Sequence, residues 1–350
     1  MEERDVVVVG GGPIGLASAW RAAQRGLDVV VLERDRAGSG ASSVAAGLLA
    51  PVTEAEHGEE EFLRLGLDSL ARWPGFAAEL EQASGREVGF LACGTLAVAL
   101  DRDDAEELRR AHDLHERLGL ASQWLLPSEA RRLEPGLAPG IAAAFLAETE
   151  GAVDPRRLTA ALAAALGDRL VEGANVTRAL VEDGRIAGVA TEDGREFRAA
   201  KVVAAGGAWG TDWLPEEAAP PVRPVKGEVL VLRGETLVSR SLRTIGPHHV
   251  YLVPRGDGRL VVGATMLERG DTTVTAGGVL ELLREAYRVL PEIEELELLE
   301  ARASLRPGSP DNLPIVGPGA LEGLVLATGH HRNGILLTPH TADTVAELLA

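Results

Sequence analysis

The chain has 350 residues, 45% hydrophobic and 25% charged, a globular composition long enough for two domains. Its formal net charge of -18 argues against nucleic acid and anionic membrane surfaces as partners, and any small anionic substrate must be held by a local cation. A single cysteine, Cys93, excludes an intrachain disulfide; no apolar run reaches the roughly 18 residues of a membrane span, and the early first strand leaves no room for a secretory leader, so a cytoplasmic protein is expected.

Val6 to Val9 form an unbroken apolar run, the pattern of a parallel strand buried on both faces. Gly10, Gly12 and Gly15 follow as G-x-G-x-x-G, then a helical pattern running from Ile14 to near Gly26, then a second strand, Val29 to Leu32, ending at Glu33. In that context the first glycine allows a tight turn, the second lets a pyrophosphate approach the backbone, and the third packs helix against strand. The helix N-terminus offers unpaired N–H groups to phosphate. Glu33 stands where a carboxylate accepts hydrogen bonds from an adenosine ribose; it would repel a 2′-phosphate, which disfavours NADP. The next stretch, RDRAGSGASSVAAGLLAP (34–51), is rich in Gly, Ala and Ser and permits close backbone approach over many residues. That suits FAD, whose ribityl chain runs on past the pyrophosphate. Within it, Val44 to Leu49 reads as the buried start of a helix.

Helices are predicted over 58–85, with Phe62, Leu65, Leu70 and Trp73 at helical spacing, and over 102–120. A short helix and loop fill 127–140, and an Asp-capped, Pro-started helix spans 154–170. EDGR occurs at 182–185 and 192–195, each between apolar runs, so both read as hairpin turns of a three-stranded meander. Residues 201–210 are a strand running into glycines, and 220–232 a linker entering a new sheet. Residues 248–266 read as a hairpin around Gly256 to Gly258, 276–291 as a helix, and 296–317 as a strand followed by a proline-rich loop. Near the C-terminus, ATGHHRNGILLTPHTA places a polar knot between an apolar strand and a helix expected to begin at Asn333–Gly334, with a kink at Pro339. The adjacent pairs His248/His249 and His330/His331 point to opposite sides of an extended chain, and His112/His115 lack a third ligand, so no metal is expected.

The segments GGGPIG, SSVAAGLLAP, PVKGE, YLVPR…GRLVVGATM, LRPGSPDNLPIVG and GHHRNGILL resemble the D-amino-acid-oxidase-like FAD flavoproteins, in particular their thiamine-pathway glycine oxidase branch. The resemblance runs over nearly the whole chain. It implies an α/β (α+β) fold, with a Rossmann-like FAD-binding domain (1–85, 147–218 and 305–350) interwoven with a mixed or antiparallel-sheet substrate domain (86–146 and 219–304). It also implies non-covalent FAD; Cys93 lies far from these motifs in sequence.

The same resemblance makes Arg306 the clamp for a substrate carboxylate, a role its planar guanidinium fork suits. It sets Tyr251, Met266 and Arg332 beside the substrate; His249, two residues before Tyr251, would share its strand face. The structural alternatives are a strand-end surface arginine, a sheet tyrosine, a core methionine and a salt-bridged arginine. Cofactor contacts carry over to Gly10, Gly12, Pro13, Ile14, Gly15, Glu33, Arg34, Ala41, Ser42, Ala46, Gly47 and Leu48, to Val176 through its backbone, and to Gly206. Leu48 departs from the methionine of related enzymes. His330, His331, Arg332, Asn333, Gly334, Ile335 and Leu336 would lie against the flavin ring, with the following helix aimed at its N1–C2=O edge. The implied reaction is oxidative deamination of a small amino acid such as glycine. Hydride passes to flavin, O2 is reduced to H2O2, and glyoxylate or another 2-oxo acid leaves with ammonia. No obligate general base is required. Sarcosine or N-methyl amino acid oxidation, D-amino acid dehydrogenation, and a flavin-binding redox module without turnover are the alternatives. The family also implies a homo-oligomer, with tetramers common.

Overall fold

The computed structural model describes residues 2–246 and 249–350; His248 of the adjacent-histidine reading lies outside them. The strand Glu2–Val9 stands at the centre of the first sheet. It pairs in parallel with Val29–Glu33 (Val6 opposite Val29) and with Glu196–Ala204 (Val6 opposite Lys201). Val6, Val7 and Val8 are buried on both faces, the physical reason for their unbroken apolar run. Leu170–Glu172 continues the sheet beyond Val29–Glu33; Leu324–Thr328 and Ile315–Pro318 continue it on the other side. The chain leaves the central strand in both directions, so a crevice opens at the carboxyl ends of the strands. One face is covered by the helices Pro13–Gln24, Glu60–Ser84, Pro155–Leu166 and Thr338–Leu349, through Trp20, Trp73, Phe76, Leu158, Leu162 and Val345. Glu196–Ala204 is also the last strand of the antiparallel meander that the two EDGR turns predict; its other strands, Val176–Glu182 and Arg185–Thr191, pack on the other face through Ala179, Ile186 and Val189.

The second sheet is eight-stranded and mostly antiparallel. Its order is Glu297–Gly308, Arg223–Arg233, Arg259–Gly263, Tyr251–Pro254, Ser241–Thr244, Thr95–Ala99, Ala143–Ala147 and Gln123–Leu125. Arg223–Arg233 and Glu297–Gly308 run together over their whole length, with Val225 opposite Arg306. The helix Ala276–Val289 packs on this sheet through Leu282, Ala286 and Val289. The hairpin around Gly256 to Gly258 is formed by Tyr251–Pro254 and Arg259–Gly263.

Three elements depart from the sequence expectation. Val44 to Leu49 is no helix: a single 3-10 turn, Ala41–Ser43, gives way to extended chain and the two-residue strand Leu48–Leu49, paired with Gly151–Ala152. Carbonyls in this segment and just before it are taken from the side. Arg156 Nε donates to Ser43 O at 2.8 Å, Arg255 donates to Ala46 O, and Val153 N donates to Gly47 O at 2.9 Å. Carbonyls so engaged do not serve a helix ladder, and Gly47 sits at φ +71°. The helix expected to 170 ends at Leu166; Leu170–Glu172 is instead the strand beside Glu33. The C-terminal helix begins at Thr338, four residues after Gly334. A 3-10 turn at His331–Asn333 precedes it, and the Leu336 carbonyl accepts from Ser69 Oγ (2.6 Å) and Trp73 Nε1 (2.9 Å). Pro339 occupies the first turn, where its missing N–H is not needed, so its position is that of a helix start rather than a kink.

Candidate active site

A cleft of about 500 Å³ runs from the Gly10–Glu33 end of the first sheet to Arg306 on the second. At its inner end the helix Pro13–Gln24 starts at Gly12 with no capping side chain and no acid in its first turn, so its N–H groups face the cleft unneutralised. A Cβ on Gly12 would meet no atom within 4 Å and would project into that open space. A Cβ on Gly10, at φ +115°, would sit 2.5 Å from Ala205 O, and one on Gly15 would collide with Gly10 O. The three glycines thus divide as the spacing predicts into turn, open approach and packing. Glu33 Oε2 accepts from Gly11 N (2.7 Å) and Oε1 from Asp35 N (2.9 Å), which fixes its carboxylate at the rim. Arg34 stacks on Trp209, 5.2 Å from its ring centroid, and Val176 lines the same end. Trp209 was not singled out from sequence; its signal was only the glycine-flanked GGAWG.

The middle of the cleft is walled by Ala41, Ser42, Ala46, Gly47 and Leu48 on one side and by Gly206, Asn333, Gly334 and Ile335 on another. Gly15 and Leu336 are the two proposed cofactor residues that do not line it: Gly15 packs helix on strand, and Leu336 is buried in the core. His330 is buried, with Nε2 3.0 Å from Thr341 Oγ1; burial, reinforced by His340, lowers its pKa to about 3. His331 adopts φ +46° and is lowered to about 4, by burial first and then by Arg306 and Arg332. Both rings are neutral near pH 7. Cys93, distant in sequence, packs against the same apolar cluster as Leu48 and Tyr251 and does not line the cleft.

The far end is charged. Arg306 reaches across Gly227, where any Cβ would strike its guanidinium, and Nη1 donates to Thr265 O (3.1 Å) and Lys226 O (3.3 Å). Among the described residues no carboxylate lies within 4.0 Å of it. The strand beneath is anchored by the fully buried Lys226, which pairs with Glu228 (3.2 Å) and Asp271 (3.0 Å). Tyr251 lies close enough to Arg306 to feel its charge; burial outweighs that charge and raises the phenol pKa, so it stays protonated. His249 lines the cleft together with Tyr251, from the segment just before the strand Tyr251–Pro254. Met266 lies at the mouth, 52% exposed, which rules out a core-filling role. Arg332 pairs with Glu54 (3.3 Å), Glu56 (3.5 Å) and Glu59 (3.9 Å).

Two further lining residues were missed. Glu54 faces Arg332 and, at 3.9 Å, Arg243, whose Nη1 also donates to Thr53 O (2.8 Å). Burial would raise the Glu54 pKa, but Arg243 and Arg332, with His249 and Arg306, outweigh it and hold the carboxyl below the usual range. The turn that delivers Glu54 is locked by the buried Glu150, which accepts from Val52 N (2.6 Å), Thr53 N (2.8 Å) and Thr53 Oγ1 (2.9 Å). Nothing in local sequence marks either residue; their roles exist only across the fold.

A family model for FAD-dependent oxidoreductases of the DAO type matches residues 5–348. The chain belongs to that family. A bifunctional ThiO/ThiG protein from Synechocystis is 36% identical over 99% of the chain, and a glycine oxidase from Geobacillus kaustophilus is 35% identical over 99% of it. The chain covers 92% of the latter but spans about half (51%) of the bifunctional relative. The crystal structure of the Geobacillus glycine oxidase superposes with a TM-score of 0.93 at 34% identity, covering 100% of this chain and 95% of the other. FAD fits the observed cleft: an open glycine at an uncapped helix start, a rim carboxylate, and a small-residue wall leading to the second sheet. Among the described residues no helix is long and apolar enough to cross a membrane.

Proposed function

We propose that this chain oxidises glycine, or a comparably small amino acid, to the 2-oxo acid and ammonia, with O2 as acceptor. The observation that carries the reading is Arg306: a guanidinium anchored by one nitrogen to two main-chain carbonyls, cradled by Gly227 and free of protein carboxylates among the described residues. A substrate carboxylate supplies the missing partner. Bound FAD supplies the electron acceptor for the α-carbon–hydrogen bond.

The chain's own groups bind and orient. Arg306 fixes the carboxylate, and the neutral Tyr251 phenol beside it has a proton to donate. Small residues along the wall leave the α-carbon room to face the flavin. Removal of the ammonium proton falls to solvent: His331 is lowered to about 4 and Glu54 is held ionised below the usual carboxylate range, which makes both weak bases. Gly10, Gly12, Glu33, Arg34, Ala41, Ser42, Ala46, Gly47, Val176 and Asn333 to Ile335 are the residues proposed to hold FAD. The test is to add glycine to the yellow holoprotein without oxygen and follow the absorbance near about 450 nm, the flavin band. Bleaching, then glyoxylate and peroxide on readmitting air, is the expected result; an unchanged spectrum with glycine, sarcosine and D-alanine would overturn the reading.

A further inference from the structure

The substrate end holds two arginines besides Arg306, and both are paired within the chain. Among the described residues lining it are three arginines, Arg306, Arg243 and Arg332, and one carboxylate, Glu54. The nearby histidines His249 and His331 both have lowered pKa values, so near neutrality the positive charge here is chiefly that of the arginines. Glu54 is ionised, largely buried, and lies between Arg332 at 3.3 Å and Arg243 at 3.9 Å. It is close enough to Arg306 to feel that charge too. The main chain that presents it is fixed, because the Glu150 carboxyl group accepts from the preceding backbone N–H groups of Val52 and Thr53.

Arg332 would remain paired without Glu54, since Glu56 and Glu59 also hold it. Arg243 would not. Its other hydrogen bond goes to the Thr53 carbonyl, and Glu54 is its one carboxylate partner among the described residues. We infer that Glu54 is a specificity-determining residue: it occupies, from within the chain, the place where a second substrate carboxylate would pair with Arg243. The enzyme thereby takes amino acids with one carboxylate and rejects dicarboxylic ones, through like-charge repulsion by an ionised group and through occupied space. This rests on the reading of Arg306 as the first carboxylate anchor.

The experiment is a titration of the flavin absorbance of the holoprotein with acetate, malonate, succinate and glutarate, for wild type, Glu54→Ala, and Glu54→Ala combined with Arg243→Met. In Glu54→Ala at least one dicarboxylate should tighten, relative to acetate, by about tenfold or more, and the added Arg243→Met should abolish that gain. Turnover of iminodiacetate relative to glycine should rise in parallel. If no dicarboxylate gains on acetate, or if the gain survives loss of Arg243, the inference is wrong. Should Glu54→Ala fail to retain flavin, Glu54→Gln removes the charge at constant size and carries the same comparison with a smaller expected gain. Wild-type turnover of glycine is measured separately, so failure of the proposed activity is not confused with failure of the Glu54 assignment.

Discussion

Truncating Arg306 probes the site most directly. On the proposed role, Arg306→Ala should leave the substrate carboxylate without its cationic partner in a partly desolvated cleft, at a cost of about 2–5 kcal/mol, a loss of roughly 30- to 5,000-fold in affinity at about 1.36 kcal/mol per decade. The structure separates this from a folding effect. Of the two carbonyls that Arg306 serves, Lys226 O also accepts from Leu267 N at 3.0 Å and stays paired, whereas Thr265 O loses the guanidinium donor. The accompanying stability loss is therefore that of one weakened acceptor, about 1–3 kcal/mol. Arg306→Lys keeps the charge without the planar fork and should fall between. The assay combines kcat/KM for glycine with acetate affinity from flavin absorbance, normalised to flavin content. Values for both within about threefold of wild type, at equal flavin content, would refute the carboxylate-clamp reasoning.

Gly227→Ala places a methyl group against the Arg306 guanidinium; acetate affinity should drop by about tenfold or more while flavin content holds, read in the same titration. Gly12→Val should fold, with Tm within about 4 °C of wild type, yet purify with little flavin, since its side chain enters open cleft; Gly10→Ala should instead lower Tm, because its Cβ meets Ala205 O at 2.5 Å in a left-handed backbone. Burial raises the Glu150 pKa to about 7 from an ordinary 4.5, against the hydrogen bonds that lower it. The folded state therefore binds the proton more tightly than the unfolded chain. That contribution is full below about pH 4.5 and is lost as pH rises through about 7, a swing of roughly 3 kcal/mol. Urea midpoints of wild type and Glu150→Gln at pH 5 and pH 8 should show a smaller decline in the variant, and an equal decline would count against this assignment.

The glycine-lined end of the cleft was legible because its requirements are local. Gly10, Gly12 and Gly15 are demanded by one turn and one helix start, and Glu33 by the end of the next strand, all within a single strand–helix–strand unit. The meander was legible for a similar reason: EDGR states its turn chemistry twice. Val44 to Leu49 misled because its apolar side chains carry no record of Val153 and Arg255, which reach in from distant segments and claim the Gly47 and Ala46 carbonyls. The late start of the C-terminal helix has the same origin, in Ser69 and Trp73 bonding Leu336 O.

By itself the sequence determined the parallel-strand core, the glycine-lined approach for a dinucleotide, and an arginine at the end of a strand whose family resemblance marked it for a carboxylate. These depend on side-chain period and on backbone conformations that only glycine adopts freely, and both are written in neighbouring residues. Only the tertiary structure decided what surrounds that arginine. Thr95–Ala99 and Ser241–Thr244 pair in parallel across more than half the sheet's sequence span, which carries Arg243 to the cleft, and Glu150 fastens the Val52–Thr53 turn that presents Glu54. The charge of a site and its pKa values follow from burial and from which ions meet there, and those are properties of the folded chain, not of any stretch of it.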